Sequence, residues 1–224
     1  MLFDGATDEE VLPFIDEKEL LYIRKFHLYE KKVEYDTKAF LQKLKEDLKP
    51  SRFTHTIGVA DTAASLAMKY GYDMNRAYVS GLLHDCAKYM TNEQLMTYCK
   101  NNGLAITEGE IKAPHLLHAK AGEHMAKVKY GVKDEEILHA ISVHTTGCPN
   151  MSLLDKILFV ADYIEPNRDK AHRLQEIREL AFWNLDFAIL LILEDTISYI
   201  EGKNQYLDQG TIDTFDYYLK EKNS

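Results

Sequence analysis

A chain of 224 residues, 46% of them hydrophobic, can bury a substantial core, so a largely disordered protein is excluded. The net charge of −9 excludes a general nucleic-acid-binding protein, because such a protein needs a cationic surface. A polyanionic substrate would need local positive charge, either from bound metal ions or from a few well-placed Lys and Arg side chains.

Cellular location is predicted from the cysteines and from the longest apolar run. Cys86, Cys99 and Cys148 are odd in number and show no CxxC spacing, which predicts free thiols in a reducing cytoplasm. The N-terminus lacks the cationic start and apolar run of a signal peptide, and the apolar run 188–193 is too short to span a bilayer. We therefore expect a cytoplasmic protein that has no membrane partner.

The glycine and proline content and the hydrophobic pattern of the chain favour an all-α fold. Glycine (11) and proline (5) are scarce, and no long alternating strand pattern occurs. Residues 1–34 are acidic and aromatic with apolar residues at helical spacing, which predicts an N-terminal helical extension. Its pattern V-x-x-x-I…Y-I…L-Y also resembles the C-terminal tail of bacterial nicotinate-mononucleotide adenylyltransferases, without any catalytic motif of that family.

Three predicted helices follow the extension. The first runs over residues 36–48, and Ser51 is expected to cap the second, which carries His55 in its first turns. The third is predicted to begin at Asp73 and leads to the adjacent pair His84 and Asp85. A polar helix end facing water is the ordinary explanation of such a pair, so the pair needs support from the rest of the chain.

The later helices carry further histidines and one more aspartate. Capping boxes are predicted at Thr91 and Thr107, and a later helix carries His118. Further helices end near His144 and at Asp162. Helix starts are also predicted at Asp134 and Ser152, and a buried, strongly apolar helix is predicted over residues 185–200.

Six of these side chains offer nitrogen or oxygen ligands for metal ions: His55, His84, Asp85, His118, His144 and Asp162. Such ligands suit manganese, iron, cobalt, nickel or zinc, and two ions about 4 Å apart need roughly this many side chains with one shared carboxylate. Helical spacing turns His124 and His139 away from the shared face. Spacing alone does not choose between His115 and His118.

Four strings carry a resemblance: RFTHTIGVADTA, GLLHDCAK, LLHAKAGE and VHTTGCPNMSLLDKILFVADYIEPNRD. Together they resemble the symmetrical bis(5'-nucleosyl)-tetraphosphatase family of the HD-domain metal-dependent phosphohydrolase superfamily. The last string is far more specific than the His-Asp doublet. The resemblance implies an all-α HD-domain helical bundle with the metal site among the core helices, and it assigns residues 35–224 to an HD phosphohydrolase domain.

The resemblance also implies a dinuclear metal site. The first ion is expected to bind His55, His84, Asp85 and Asp162. The second is expected to bind Asp85 as the bridge, together with His118 and His144. The LLHA context selects His118 over His115. Iron is the metal associated with the family, and manganese, cobalt and zinc stay open as alternatives.

The implied reaction is symmetrical hydrolysis of diadenosine tetraphosphate to two ADP, by attack of metal-bound hydroxide on a phosphoanhydride. Asp85, Lys88 and Arg168 are the expected catalytic residues. Lys88 and Arg168 are also expected to bind phosphate, and the turn Thr145, Thr146 and Gly147 to hold phosphate or ribose. A solvated lysine, a surface ion pair and an ordinary turn are the alternative explanations.

Several partners and functions stay open. The expected partner is a dinucleoside polyphosphate, with ADP or GDP as a product-like ligand and no nucleic-acid polymer; a homodimer is a further expectation. Lys120 and Glu123 are expected at the pocket rim. Another HD nucleotide phosphohydrolase, acting on a nucleoside mono- or triphosphate or an alarmone, is the main alternative. An HD di-iron oxygenase and a regulatory module without metals are the others.

Overall fold

The computed structural model describes residues 8–25 and 34–222, and these ranges contain helices and no strand. The predicted all-α fold is therefore confirmed. The chain divides into two compact units, Met1–Asp36 and Thr37–Ser224.

The first unit contains α1 (Asp8–Val11) and α2 (Glu17–Lys25). A reciprocal pair of hydrogen bonds begins α2: the Glu19 amide donates to Asp16 Oδ1 (2.8 Å), and the Asp16 amide donates to Glu19 Oε2 (3.2 Å). This capping box satisfies two amides that have no partner inside the helix. The remaining parts of the predicted extension, residues 1–7 and 26–33, lie outside the described residues.

The second unit is a bundle of helices joined by short connections. In chain order they are α3 (Thr37–Asp47), α4 (Pro50–Tyr70), α5 (Met74–Leu83), α6 (Asn92–Asn101), α7 (Glu108–Lys112), a 3-10 turn (Pro114–Leu116), α8 (Leu117–Val128), α9 (Glu135–Val143), α10 (Leu153–Ile164), α11 (Leu174–Ala181), α12 (Leu185–Gly202) and α13 (Gln209–Lys222).

Local capping chemistry explains most of the helix starts. At five predicted positions a side-chain oxygen accepts hydrogen bonds from amides of the first turn: Asp73, Thr91, Thr107, Asp134 and Ser152. The expectation that Ser51 caps α4 is wrong. That helix begins two residues earlier than a Ser51 cap would place it, with Lys49 at the N-cap position and Pro50 in the first turn. Proline suits this position because its missing N–H would have no partner inside the helix.

The core lies between α4, α5, α9 and α10. α4 packs against α5 and α10, and α9 packs against α5, α8 and α10. Fully buried side chains such as Leu66, Leu82, Leu138 and Ile157 fill the space between these helices. Because most of the candidate ligands lie on these helices or directly after them, hydrophobic packing sets the positions of the polar groups at the centre.

α12 provides much of the remaining core, as predicted from its apolar sequence. Its buried residues include six consecutive ones, from Ala188 to Leu193. α12 packs against α10, α11 and α13. No helix in the described part of the chain has the length and apolar character needed to cross a membrane.

Close contact between α4 and α5 depends on Gly81. A Cβ atom at this position would lie 2.6 Å from the Cα and 2.9 Å from the amide nitrogen of Ala60, both in the backbone of α4. We therefore expect Gly81→Ala to destabilise the fold by about 1–3 kcal/mol, because the helices must separate. Urea unfolding measures the change.

Gly202→Ala is the matched control, because a Cβ atom there meets nothing within 4 Å. This change is expected to be neutral or to stabilise the fold by up to about 1 kcal/mol, since alanine restricts the unfolded chain. Equal unfolding midpoints for Gly81→Ala and the wild type would contradict the proposed close contact.

Candidate metal centre

The six candidate ligands predicted from the sequence come together at the centre of the second unit. His55 lies on α4, His118 on α8 and Asp162 on α10. His84 and His144 are the residues that directly follow α5 and α9. Asp85 follows His84, and all six side chains face one another: His55, His84, Asp85, His118, His144 and Asp162.

Backbone carbonyls fix the orientation of three of the imidazole rings. The Nδ1 atoms of His84, His118 and His144 each lie 2.5–2.7 Å from the carbonyl oxygen three residues earlier. A carbonyl only accepts hydrogen bonds, so Nδ1 must carry the proton. The Nε2 atom of each ring is then left with a lone pair directed toward the centre, as metal binding requires.

The fourth ring is oriented by a residue that sequence reasoning missed. His55 Nδ1 lies 3.1 Å from Glu165 Oε1, and Glu165 is only 2% exposed. The other carboxylate oxygen accepts the Asn167 amide (2.6 Å). Gly58 makes room for this contact, since a Cβ atom there would come within 2.4 Å of Glu165 Oε2. The available signal was the position of Glu165, three residues after Asp162.

Asp85 presents its two carboxylate oxygens to two different sets of histidines. Oδ2 lies 3.5 Å from His84 Nε2 and 4.0 Å from His55 Nε2. Oδ1 lies 3.3 Å from His118 Nε2 and 3.7 Å from His144 Nε2. Burial by itself raises the pKa of Asp85, but the nearby His84, His118 and His144 hold it well below its usual range. A deprotonated carboxylate in this position can bridge two cations.

Asp162 completes the first of these two sets. Its Oδ1 atom lies 3.1 Å from His55 Nε2 and 4.0 Å from His84 Nε2. Burial tends to raise the pKa of Asp162, yet the contact with His55 and the charge of Arg168 lower it strongly. Burial lowers the pKa of His118 to about 4 despite the nearby Asp85 carboxylate, so that ring is neutral at neutral pH. A deprotonated Asp162 and a neutral His118 are the charge states that metal binding requires.

Unpartnered nitrogen atoms support the fit of metal ions to this cluster. Within the described ranges, the Nε2 atoms of His55 and His84 are buried and make no hydrogen bond; the contact of His55 with Asp162 lacks hydrogen-bond geometry. Buried polar atoms without a partner are rare and indicate a missing ligand or ion. In two sets of three residues, one ligand atom of each residue lies within 4.8 Å of the other two. The sets are His55, His84 and Asp162, and His84, Asp85 and His144.

Positive side chains lie at the edge of the cluster. Arg52, which sequence reasoning also missed, donates to Asp85 Oδ2 (2.8 Å), and its position three residues before His55 was the available signal. Lys88 Nζ lies 3.1 Å from His118 Nε2, and burial lowers its pKa. Arg168 donates to the carbonyl (2.9 Å) and carboxylate (3.2 Å) of Asp162.

The turn after α9 lies beside the cluster. Thr145 Oγ1 lies 3.3 Å from the Nε2 atoms of both His118 and His144. Thr146 donates from its hydroxyl to the carbonyl of Gly147, and the Gly147 amide donates to Val143 (2.8 Å). The Gly147 amide is therefore engaged by the protein itself, so the Thr145 hydroxyl is the group of this turn that faces the candidate ligands His118 and His144.

A cavity of about 330 Å³ opens next to this turn. Most of the residues that line it are polar; the full set is Thr107, Glu110, Leu116, Ala119, Lys120, Glu123, Ser142, Thr145, Thr146 and Asp208. Lys120 and Glu123 thus lie at a pocket, as expected. Lys120 Nζ donates to Glu110 Oε2 (2.7 Å), so its charge is compensated within the protein.

The other histidines that the structure describes lie outside the ring cluster. His115 contributes its backbone carbonyl to His118. His124 lies 2.8 Å from the Tyr98 hydroxyl, and His139 lies 3.0 Å from Asp155. Spacing could not separate His115 from His118, whereas the structure places the His118 ring at the centre.

An all-helical bundle that gathers histidines and aspartates at its centre defines the class of HD-domain proteins. The family model described as HD domain matches residues 52–167, a range that includes all six candidate ligands. A crystal structure from Clostridium acetobutylicum, described as an HD superfamily hydrolase involved in NAD metabolism, has a TM-score of 0.81. The two sequences are 38% identical, and the alignment covers 84% of this chain and 100% of the Clostridium chain.

Curated relatives narrow the family. A protein of Halalkalibacterium halodurans named symmetrical bis(5'-nucleosyl)-tetraphosphatase is 39% identical over 182 residues, covering 81% of this chain and 96% of the relative. A Bacillus subtilis protein of the same name is 35% identical over 176 residues, covering 79% and 94%. The chain belongs to the HD-domain family and, within it, to the family of the symmetrical bis(5'-nucleosyl)-tetraphosphatases. The resemblance carried by the four sequence strings is confirmed.

We expect Glu165→Gln to weaken metal binding about ten- to a hundredfold, the usual effect of changing a partner that orients a ligand. Both carboxylate oxygens of Glu165 accept hydrogen bonds, whereas a glutamine has one oxygen and must turn its NH₂ group toward a donor. Competition against a chelator measures the affinity. Glu176→Gln, an exposed position on α11, is the control. Equal affinities of Glu165→Gln and the wild type would contradict the role given to Glu165.

Proposed function

We propose that this protein hydrolyses diadenosine tetraphosphate symmetrically to two molecules of ADP. The single observation that carries the proposal is the Asp85 carboxylate, whose two oxygens face two separate sets of histidines. This arrangement suits a pair of cations that share one carboxylate. The names of the curated relatives, which cover most of this chain, supply the substrate class.

Two divalent cations are the proposed cofactors, with iron as the proposed metal. His55, His84 and Asp162 would hold the first ion, His118 and His144 the second, and Asp85 would bridge them. When bound, the ions would supply an acidified water molecule and would neutralise phosphate charge. The nitrogen and oxygen donors also accept manganese, cobalt or zinc.

The residues around the cluster would orient the phosphate chain. Lys88 and Arg52 supply positive charge beside the two metal sites, as an enzyme with a net charge of −9 needs for a polyanionic substrate. Arg168 holds the carbonyl and carboxylate of Asp162 and has a further terminal nitrogen that could contact a phosphate. We propose Asp85, Lys88 and Arg168 as the catalytic residues.

The cavity beside Thr145 is the proposed site for a nucleoside end of the substrate. Its volume of about 330 Å³ and its mixed polar and apolar lining suit a ribose and a purine. Hydroxyl groups of Thr145 and Thr146 line the cavity and are suited to ribose or phosphate. ADP or GDP would bind there as a product-like ligand.

The domain limits and the location of the protein are further parts of the proposal. Residues 35–224 would form the HD phosphohydrolase domain, and residues 1–34 an N-terminal extension. The free thiols Cys86, Cys99 and Cys148 are suited to a reducing cytoplasm. A homodimer stays a prediction.

Product analysis tests the reaction. Hydrolysis in ¹⁸O-labelled water should convert diadenosine tetraphosphate into ADP alone, with one labelled β-phosphate per turnover. The water oxygen bonds to one of the two central phosphorus atoms, and the bridging oxygen leaves with the other ADP. Formation of AMP and ATP would contradict symmetrical cleavage. A panel of nucleoside mono- and triphosphates and alarmones tests the main alternative, and oxygen consumption tests the di-iron oxygenase.

Asp85→Ala should lose both bound metal and turnover in the same assay, because each metal site loses the shared carboxylate. Asp61→Ala is the matched control, since Asp61 lies exposed on α4. Full turnover by folded Asp85→Ala would overturn the mechanism.

Lys88→Gln and Arg168→Gln should separate substrate contact from metal retention. We expect Lys88→Gln to lower kcat roughly 10²–10³-fold with the metal content unchanged, as for the loss of one charge-stabilising donor.

Arg168→Gln should lower both turnover and metal content, because Asp162 loses two contacts. Elemental analysis and steady-state kinetics on one preparation measure both quantities. Lys100→Gln, exposed on α6, is the control. Unchanged kinetics in Lys88→Gln would contradict its role.

A further inference from the structure

A second group of potential metal ligands lies outside the central cluster. It consists of His139 on α9, Cys148 in the following connection and Asp155 in the first turn of α10. One ligand atom from each residue lies within 4.8 Å of the others. Helical spacing turns His139 away from the central cluster, and the central metal sites make no use of this histidine.

Capping chemistry orients the carboxylate of this group. Asp155 Oδ2 accepts the backbone amide of Ser152 (2.8 Å), and the Ser152 hydroxyl accepts the Asp155 amide (3.2 Å) in return. The other oxygen, Oδ1, lies 3.0 Å from His139 Nδ1. Asp155 is 1% exposed, so its carboxylate is held in one orientation before any ion arrives.

We propose that His139, Cys148 and Asp155 bind a zinc-class divalent cation at a site separate from the central cluster. A thiolate, an imidazole and a carboxylate are the three ligand types that zinc takes in proteins. Tetrahedral zinc with bonds of 2.0–2.3 Å separates its ligand atoms by about 3.3–3.8 Å, so the spacing found here needs small side-chain adjustments.

Three protein ligands leave the fourth position of a tetrahedral ion open, and this position would face solvent. The side chain of His139 is 54% exposed and Cys148 is partly exposed, whereas Asp155 is buried. Water or an exchangeable ligand would fill the fourth position of the ion. The ion would enter from solvent and exchange readily.

The position of the group gives the ion a mechanical role. His139 lies near the end of α9 and Asp155 at the start of α10, while Cys148 lies between them. The connection that these residues bracket carries His144 and Thr145. An ion bound to all three would therefore link the end of α9 and the start of α10 to Cys148 in the connection between them.

A nucleophilic thiol is the competing explanation of a neighbouring cysteine, histidine and aspartate. Burial raises the pKa of Cys148 to about 11, so the free side chain is a thiol and a poor nucleophile at neutral pH. Metal binding displaces this proton, as it does at other cysteine ligands. A simple ion pair between His139 and Asp155 is the remaining explanation.

Cobalt spectroscopy tests the site on the full chain. Co²⁺ bound to a cysteine sulfur gives a near-ultraviolet charge-transfer band, and the central cluster has no sulfur ligand. We expect wild-type protein to show this band and to bind one more Co²⁺ than Cys148→Ser or His139→Gln. Excess Zn²⁺ should abolish the band. Because the readout does not use turnover, it is independent of the proposed activity.

Cys99→Ser is the matched control, because this cysteine lies on α6 outside the group. It should keep both the band and the extra equivalent. Absence of the band in the wild type, or equal stoichiometry in the wild type and Cys148→Ser, would overturn the proposal and leave only an ion pair. A band that persists in Cys148→Ser would assign the sulfur ligand to another cysteine and would also overturn it.

Discussion

The second unit depends on one electrostatic constraint: several imidazoles and two carboxylates are gathered in a space from which water is largely excluded. Asp85 is 2% exposed, and positive charge reaches it from Arg52, which donates to its Oδ2 atom, and from the nearby Lys88. Polar groups held this way cost free energy unless they are paired. The apolar packing of α4, α5, α8, α9 and α10 compensates that cost and holds the six candidate ligands together.

Each imidazole is held at the nitrogen that faces away from the centre. Three rings use the carbonyl three residues earlier, a contact that comes from the end or the first turn of a helix. His55 sits within the first turns of α4 and depends on a side chain, Glu165, for the same purpose. The first three orientations follow from local backbone geometry, whereas the fourth requires two distant parts of the chain to meet.

This distinction explains how far the sequence alone could predict the fold and the site. Caps such as Asp73 and Ser152 were predictable because they depend on neighbours within three residues. The predicted cap at Ser51 was wrong because Pro50 can begin a helix without any side-chain cap. The choice of His118 over His115 came from resemblance, since residues three apart share one helix face. Arg52 and Glu165 were missed because each acts through a tertiary contact that no spacing rule contains.

The contact between Gly58 and Glu165 has an evolutionary consequence. Because the carboxylate occupies the space where a Cβ atom of residue 58 would lie, a larger side chain there would force the Glu165 carboxylate to move. A shorter acid would no longer reach the ring of His55. A substitution at either position is therefore expected to disturb the same contact with the His55 ring, so the two positions share one constraint.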